Sequence, residues 1–311
     1  MRILHISDLH LKTDFGRKYK GILKRVCDFL EENAKRKPFS HIVFTGDLRD
    51  TKDSSTIDEA ISIVEQIALA ANVKSKGCVH IIPGNHDLTR VGSEDDIAKI
   101  RREYDFDNGT FSDYKSSFSI MTERFKDFFW PLCERYYGLL NPWGNENGLP
   151  HKVRVDDENA FILTNSCLTC IDNGHDGNLV IGLNYLSELI EKERVAKRFF
   201  ILAHHPIQNL HSREEHELQA MIASFPDKRF FWLCGDAHNN RASAREYITS
   251  YQVGSLVGIS STVPDFAIYD VADGQLERRV FRFLPHLNFS SANKGGWKRV
   301  FIDSKSPSVW G

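Results

Sequence analysis

Apolar residues fall in short runs through the first ninety positions, and each run stops at a glycine, an acid or a histidine. RILHIS, HIVFTGD and CVHIIPGNHD are of strand length and carry β-branched residues, so each predicts a strand running into a loop. Between them, apolar positions recur every three or four residues. That spacing predicts a helix from about Gly16 to Lys37 and a second over SSTIDEAISIVEQIALAA, with Ser54 or Ser55 placed to cap it. Strands alternating with helices in this order predict a parallel sheet with helices on its faces.

Residues 88–150 break the rhythm. The segment is charged at first (GSEDDIAKIRREYDFD), then aromatic (SSFSIMTERFKDFFWPLCERYYG), and predicts two helices in an insertion that could cap one side of a cleft. Its Phe125, Phe128, Phe129 and Trp130 read as core, because burial explains them without a ligand. Strand patterns resume at HKVRV, AFILTNS, RFFILAHHP and RFFWLCGDAH. Helices are predicted over NYLSELIEKERV and roughly Ser212 to Phe225, and DFAIYDV and LERRVFRFLP form a hairpin around ADGQ.

With 311 residues, 41% hydrophobic and 26% charged, the chain has the composition of an ordinary globular protein of one large or two small domains. No apolar run approaches the ~20 residues of a membrane span. MRILHISDLH is no secretory signal, since its apolar stretch soon meets Asp8 and His10, and a cytoplasmic location is the expectation. The six cysteines read as reduced, packed thiols; the C-x-x-C at Cys167 and Cys170 lacks the second pair a zinc site needs. A net charge of −2 provides no global field for nucleic acid. From Arg278 to Gly311, however, seven Lys/Arg face one acid, which reads as a solvated basic surface, with a polyanion or partner contact as the alternative. A domain is therefore expected over 1–285, with 286–311 a basic C-terminal extension that could lead into a further domain of a longer protein.

The chemistry lies where the strands end. Asp8 and His10, then Asp47 and Asp50, Asn85, His86 and Asp87, His204 and His205, and finally Asp236 and His238 each follow a predicted strand. Carboxyl ends of strands in an α/β sheet open on a common crevice, so residues up to 230 positions apart can converge there. Gly46, Gly84 and Gly235 would permit the sharp turns that aim these side chains. Taken singly, each motif has a plain structural explanation; five strand ends together point to a metal centre.

The set SDLH, GDLRD, GNHD, AHHP and CGDAH resembles the signature of calcineurin-like metallophosphoesterases over roughly residues 1–270. The resemblance implies a four-layer α/β/β/α sandwich of two mixed β-sheets with the metal site at strand C-terminal ends. It implies two divalent ions, the first held by Asp8, His10 and His238, the second by Asn85, His204 and Asp236, with Asp47 shared. Manganese is foremost, with iron, magnesium or zinc as other candidates. His86 would serve the leaving oxygen with Asp87 fixing its tautomer, while Asp50 and His205 would orient ligands. A hydroxide between the ions would attack the phosphoester.

One position departs. Asp236 stands where such families usually have histidine. A third coordinating aspartate would formally neutralise the ions together with the hydroxide and favour harder ions such as manganese or magnesium. The opposing expectation is that Asp236 is too short to reach. The implied activity is a phosphodiesterase rather than a protein phosphatase, since HISDLHL and HHP look like the cyclic-nucleotide phosphodiesterase and SbcD-type nuclease branches and no R-G-x-x-D element follows GNHD; a nucleotide or other small diester is the first substrate expected. A manganese-dependent DNA nuclease of SbcD type and a non-catalytic scaffold remain as alternatives.

Overall fold

The computed structural model describes residues 1–12, 17–50, 57–89, 94–132, 135–136, 151–171, 177–257, 263–272, 275–283 and 297–303. Among these residues, twelve strands form two six-stranded mixed sheets. In the first, β1 (Arg2–Ile6), β2 (His41–Thr45) and β3 (Val79–Ile82) are parallel; β10 (Asp265–Ala272), β11 (Gln275–Phe283) and β12 (Trp297–Asp303) continue it antiparallel beyond β1. In the second, β5 (Asn159–Thr164), β6 (Arg198–Leu202), β7 (Arg229–Cys234) and β9 (Ile248–Gln252) are parallel, and antiparallel β4 (His151–Asp156) and β8 (Arg241–Ala244) form the edges. β1, β2, β3 and β5 are buried along their whole length, as strands covered on both faces must be.

The sheets pack face to face. Phe161 of β5 stacks on His80 of β3 at 4.2 Å between ring centroids, and Tyr251 of β9 meets Tyr269 of β10 at 5.5 Å. Outside the first sheet, α1 (Arg17–Arg36) sets Phe29 against Phe266 and Phe281. Beside it α2 (Ile57–Ala70) buries Ile57, Ala60, Ile61, Val64 and Ile67, one apolar face at helical spacing, and carries Asp58 and Glu59 at its positive N-terminal end. α6 (Leu183–Lys192) and α7 (Ser212–Ala223) pack together on the second sheet's side, α6 against β4. The cap expected at Ser54 or Ser55 and the centre of the ADGQ turn fall outside the described residues.

Two sequence expectations are changed. Among its described residues the insertion carries three helices rather than two: α3 (Glu94–Arg102), α4 (Tyr114–Glu123) and α5 (Lys126–Leu132). Ile97, Ile100, Phe111, Phe118 and Met121 build a small core of their own with Leu168 and Val180, whereas Phe125, Phe128 and Phe129 enter the main core as expected. The side chain of Trp130 lies outside those described. Buried Glu214 on α7 fastens the insertion: one carboxylate oxygen accepts from Tyr104 Oη at 3.1 Å and from the Ile181 and Gly182 amides entering α6. The second change concerns the basic stretch assigned to an extension, where residues 297–303 form edge strand β12 paired with β11.

Candidate metal centre

Three of the five strand-end loops, those after β1, β2 and β7, are built on unusual backbone. Asp8, His10, Asp47, Asp236 and His238 all adopt left-handed conformations, with φ of 56°, 43°, 53°, 71° and 51°. Each such residue costs roughly 1–3 kcal/mol and persists only where its surroundings over-determine it. Here the surroundings are a ladder of amides: Asp8 N donates to Gly46 O, His10 N to Asp47 O and Leu11 N to Leu48 O, so the two loops run side by side. Leu9, Leu11 and Leu48 anchor them in the core while the polar residues between face the crevice.

The glycines act differently from the expectation. Gly46, at φ 95°, is a true left-handed turn. Gly84, at φ −107° and ψ −179°, has extended backbone that any residue adopts; what it requires is room, since a Cβ would lie 2.1 Å from Asp47 Oδ1. At Gly235 a Cβ would lie 1.9 Å from Ser7 Oγ. Both are close approaches rather than turns.

Two groups of acceptors converge. In the first, His10 Nε2 and His238 Nε2 are 3.0 Å apart, and Asp8 Oδ1 lies 3.7 Å from the one and 3.4 Å from the other. Asp47 Oδ2 is 3.4 Å from His10 Nε2. In the second, His204 Nε2 faces Asn85 Oδ1 at 2.9 Å, Asp47 Oδ2 at 3.4 Å and Asp236 Oδ1 at 3.7 Å. One oxygen of Asp47 therefore belongs to both groups, while its Oδ1 accepts from the His86 amide at 2.8 Å. His204, His205 and Asp236 also bring one ligand atom each within 4.8 Å of one another, which makes His205 a further ligand candidate. Its Nδ1 lies 3.0 Å from Ser166 Oγ, the orienting contact expected of a ligand's other nitrogen.

The arrangement fits cations. His204 Nδ1 sits 2.8 Å from the Thr45 carbonyl, which can only accept, so Nδ1 carries the proton and Nε2 presents a lone pair. That lone pair then faces the oxygens of Asn85, Asp47 and Asp236. Asp8 Oδ1 is buried and has no hydrogen-bond donor among the described residues. Such crowding of acceptors is costly unless positive charge is shared between them. Burial, with the nearby carboxylates of Asp8, Asp87 and Asp236, pushes Asp47 well above the ordinary carboxylate range. Burial pushes Asp8 the same way, but His10 and His238 outweigh it and hold the group far below its usual value. Imidazole nitrogens, carboxylates and one amide oxygen suit divalent transition ions and magnesium.

His86 stands beside this set, its ring edge-on to His10 at 4.7 Å between centroids. Its carboxylate neighbour is Asp50, with Oδ1 3.7 Å from Nδ1. This corrects the expectation for Asp87, whose carboxylate accepts from the amides of Gly84 (2.9 Å), Arg49 (3.2 Å) and Leu48 (3.3 Å) and staples two loops together. Three amides converge on Asp87 from the loops on either side, and that use fixes its direction. Although burial raises Asp50, Lys12 and His86 outweigh it and keep the group below its ordinary value, as the anion. Sequence reasoning missed Ser255, whose hydroxyl donates to Asp8 O at 2.7 Å, and Asn209, whose amide donates to Asp236 Oδ2 at 3.2 Å. Neither follows a strand end in a recognisable motif; only Asn209's place just beyond AHHP offered a signal.

Among the described residues no helix is long and apolar enough to cross a membrane, and the described cysteines form no disulfide. The zebrafish, Danio rerio, has a dimetal phosphatase whose crystal structure superposes with a TM-score of 0.57 at 12% identity, covering 91% of this chain and 96% of that one. The uncharacterized metallophosphoesterase-like protein YydB of Bacillus subtilis is 25% identical over 323 residues; the match takes in 96% of this chain and 63% of the length of YydB. The family model for calcineurin-like phosphoesterases matches residues 1–240. The polar clusters at the strand ends, the paired mixed sheets and this match agree, and the chain belongs to the calcineurin-like phosphoesterase family.

Proposed function

We propose that the protein is a metal-dependent phosphodiesterase acting on a small diester such as a nucleotide. The observation that carries this is the single Asp47 oxygen shared by two groups of converging acceptors, with His86 beside them. Asp8, His10, His238 and Asp47 would hold one divalent ion, and Asp47, Asn85, His204 and Asp236 the other, with His205 near the second. Bound there, the ions would neutralise the phosphoryl oxygens and make water more acidic. Asp236 Oδ1 lies close enough to His204 to share an ion, and an anionic oxygen in place of imidazole favours manganese or magnesium.

The chain's own residues supply orientation and a proton. His86 is the general acid for the leaving oxygen: its amide is tied to Asp47, and its partly exposed ring lies at the crevice. Ionised Asp50 steers that ring through Nδ1 and favours its protonated form. The insertion begins directly after this loop, where Thr89 N donates to Arg124 O, and would wall one side of the crevice against bulky substrates.

The basic C-terminal stretch favours the small diester over DNA. Among its described arginines, Arg278 is buried, Arg279 pairs with Asp270, and the half-buried Arg282 and the exposed Arg299 lie 3.6 Å from Asp265 and Glu277, so each has a use within the fold. A manganese-supplemented panel of bis(p-nitrophenyl) phosphate, cyclic nucleotides, monoesters and DNA, run beside Asp47→Asn, tests the reading. Diester turnover abolished by Asp47→Asn is expected. Cleavage of DNA with steep salt dependence would instead establish the nuclease, and no turnover of any ester would establish the scaffold.

A further inference from the structure

Asp236 poses a geometric problem of its own. A histidine ring aims its ligand nitrogen in one direction, whereas a carboxylate can rotate and offer either oxygen or both. Here the two oxygens are separated by function. Oδ2 accepts from Asn209 Nδ2 at 3.2 Å, and Oδ1 is the oxygen turned toward His204 Nε2 at 3.7 Å. The Asp236 amide is fixed as well, donating to Asp8 Oδ2 at 3.2 Å from a left-handed backbone.

Asn209 is equipped to hold a partner still. It is 6% exposed and closes a 3-10 turn (Ile207–Asn209) five residues beyond His204. Its amide donates to Pro206 O at 3.0 Å and its carbonyl accepts from Leu179 N at 3.1 Å, so both backbone groups are pinned. The side chain thus delivers its Nδ2 from a rigid support.

We infer that Asn209 is a positioning residue that makes Asp236 a one-oxygen ligand, and that the pair replaces the directionality of a histidine in this chain. The inference rests on Asp236 being a ligand of the second ion. Anchoring Oδ2 prevents two-oxygen chelation and sets the side chain's reach toward His204. Loss of an orienting hydrogen bond of this kind typically costs 10–100-fold in metal affinity.

The test is metal binding rather than turnover. Calorimetric titration with manganese and elemental analysis are applied to the wild type, Asp236→Ala, Asn209→Ala, Asp236→His and the double variant Asp236→His/Asn209→Ala. Expected are two ions in the wild type, and a second-ion affinity weakened roughly 10–100-fold in Asn209→Ala with the first ion retained. In the Asp236→His background, Asn209→Ala should change affinity less than about 3-fold. Equal losses in both backgrounds would overturn the inference, since Asn209 would then support the turn rather than the carboxylate. Unchanged affinity in Asn209→Ala alongside a lost second ion in Asp236→Ala would overturn it while leaving the ligand reading intact. Full occupancy in Asp236→Ala would overturn both. Should Asn209→Ala fail to fold, Asn209→Ser serves in the same comparison, with the same outcomes.

Discussion

Two clusters of imidazole and carboxylate lie between the sheets, at opposite ends of the same strands. His41 opens β2, His80 lies early in β3, and Asp156 closes β4. There the contacts form a chain: Asp156 Oδ2 to His41 Nε2 at 2.9 Å, then His41 Nδ1 to His80 Nε2 at 3.1 Å. One proton per contact satisfies it, with His80 donating to His41 and His41 donating to Asp156. At the carboxyl ends, His204 Nδ1 donates to the Thr45 carbonyl, and Nε2 is turned toward the oxygens of Asn85 and Asp47. Residue types are the same; the direction of the lone pairs differs. Protons close one cluster, whereas the other gathers acceptors between which a cation would fit.

The contrast can be broken first at Asp47, which serves both acceptor groups. Asp47→Asn should lower diester turnover by at least ~10³-fold and reduce bound metal, read by kinetics and elemental analysis of one preparation. Full metal content in that variant would show that the groups do not share this oxygen.

The proton donor is the next place to press. His86→Ala should cost ~10²–10⁴-fold in turnover with two ions still bound. Its two neighbouring aspartates should then separate. Asp50→Asn should lower turnover ~10-fold and move the pH–rate profile, because it removes the charge facing His86 Nδ1. Asp87→Asn should leave the profile in place and cost ~1–3 kcal/mol of stability, measured by denaturant titration, because an amide cannot accept from all three backbone donors. A shifted profile in Asp87→Asn and an unmoved one in Asp50→Asn would restore the original pairing.

Chelation gives a smaller effect of the same origin. Stripping the ions should lower the melting temperature by several degrees, as the crowded carboxylates lose the charge that offsets their repulsion. An unchanged midpoint would mean that the acceptor groups are not strained.

The least effect is expected at the other cluster. Burial holds His80 and His41 below the ordinary value of 6.5, so the folded rings refuse protons that the unfolded chain accepts. Their contribution is therefore level above about pH 6.5 and declines as the pH falls below it. His80→Phe should flatten part of that decline in a pH series of melting curves and leave metal content and turnover unchanged. Displacement of an ion would end the distinction between the clusters.

Much of this was legible along the chain. Parallel strands buried on both faces leave long apolar runs with abrupt polar ends, so Asp8, His10, Asp47, Asn85, His204, Asp236 and His238 could be chosen as a set of ligand candidates. Less legible were short, exposed β8 and the edge strand β12, whose pairing depends on partners distant in the sequence. Asp50 and Asp87 could not be told apart: each flanks a motif, and only the amides around Asp87 determine which way it points.

By itself the sequence determined the alternation of strand and helix, the residues that end each strand, and the substitution at position 236. These follow from local periodicity and residue chemistry. Only the tertiary structure decided that five of those residues sit on left-handed backbone, that one Asp47 oxygen serves two groups, that Asp50 rather than Asp87 faces His86, and that Asn209 anchors Asp236. Each depends on the direction of a lone pair or a donor, and long-range contacts set that direction.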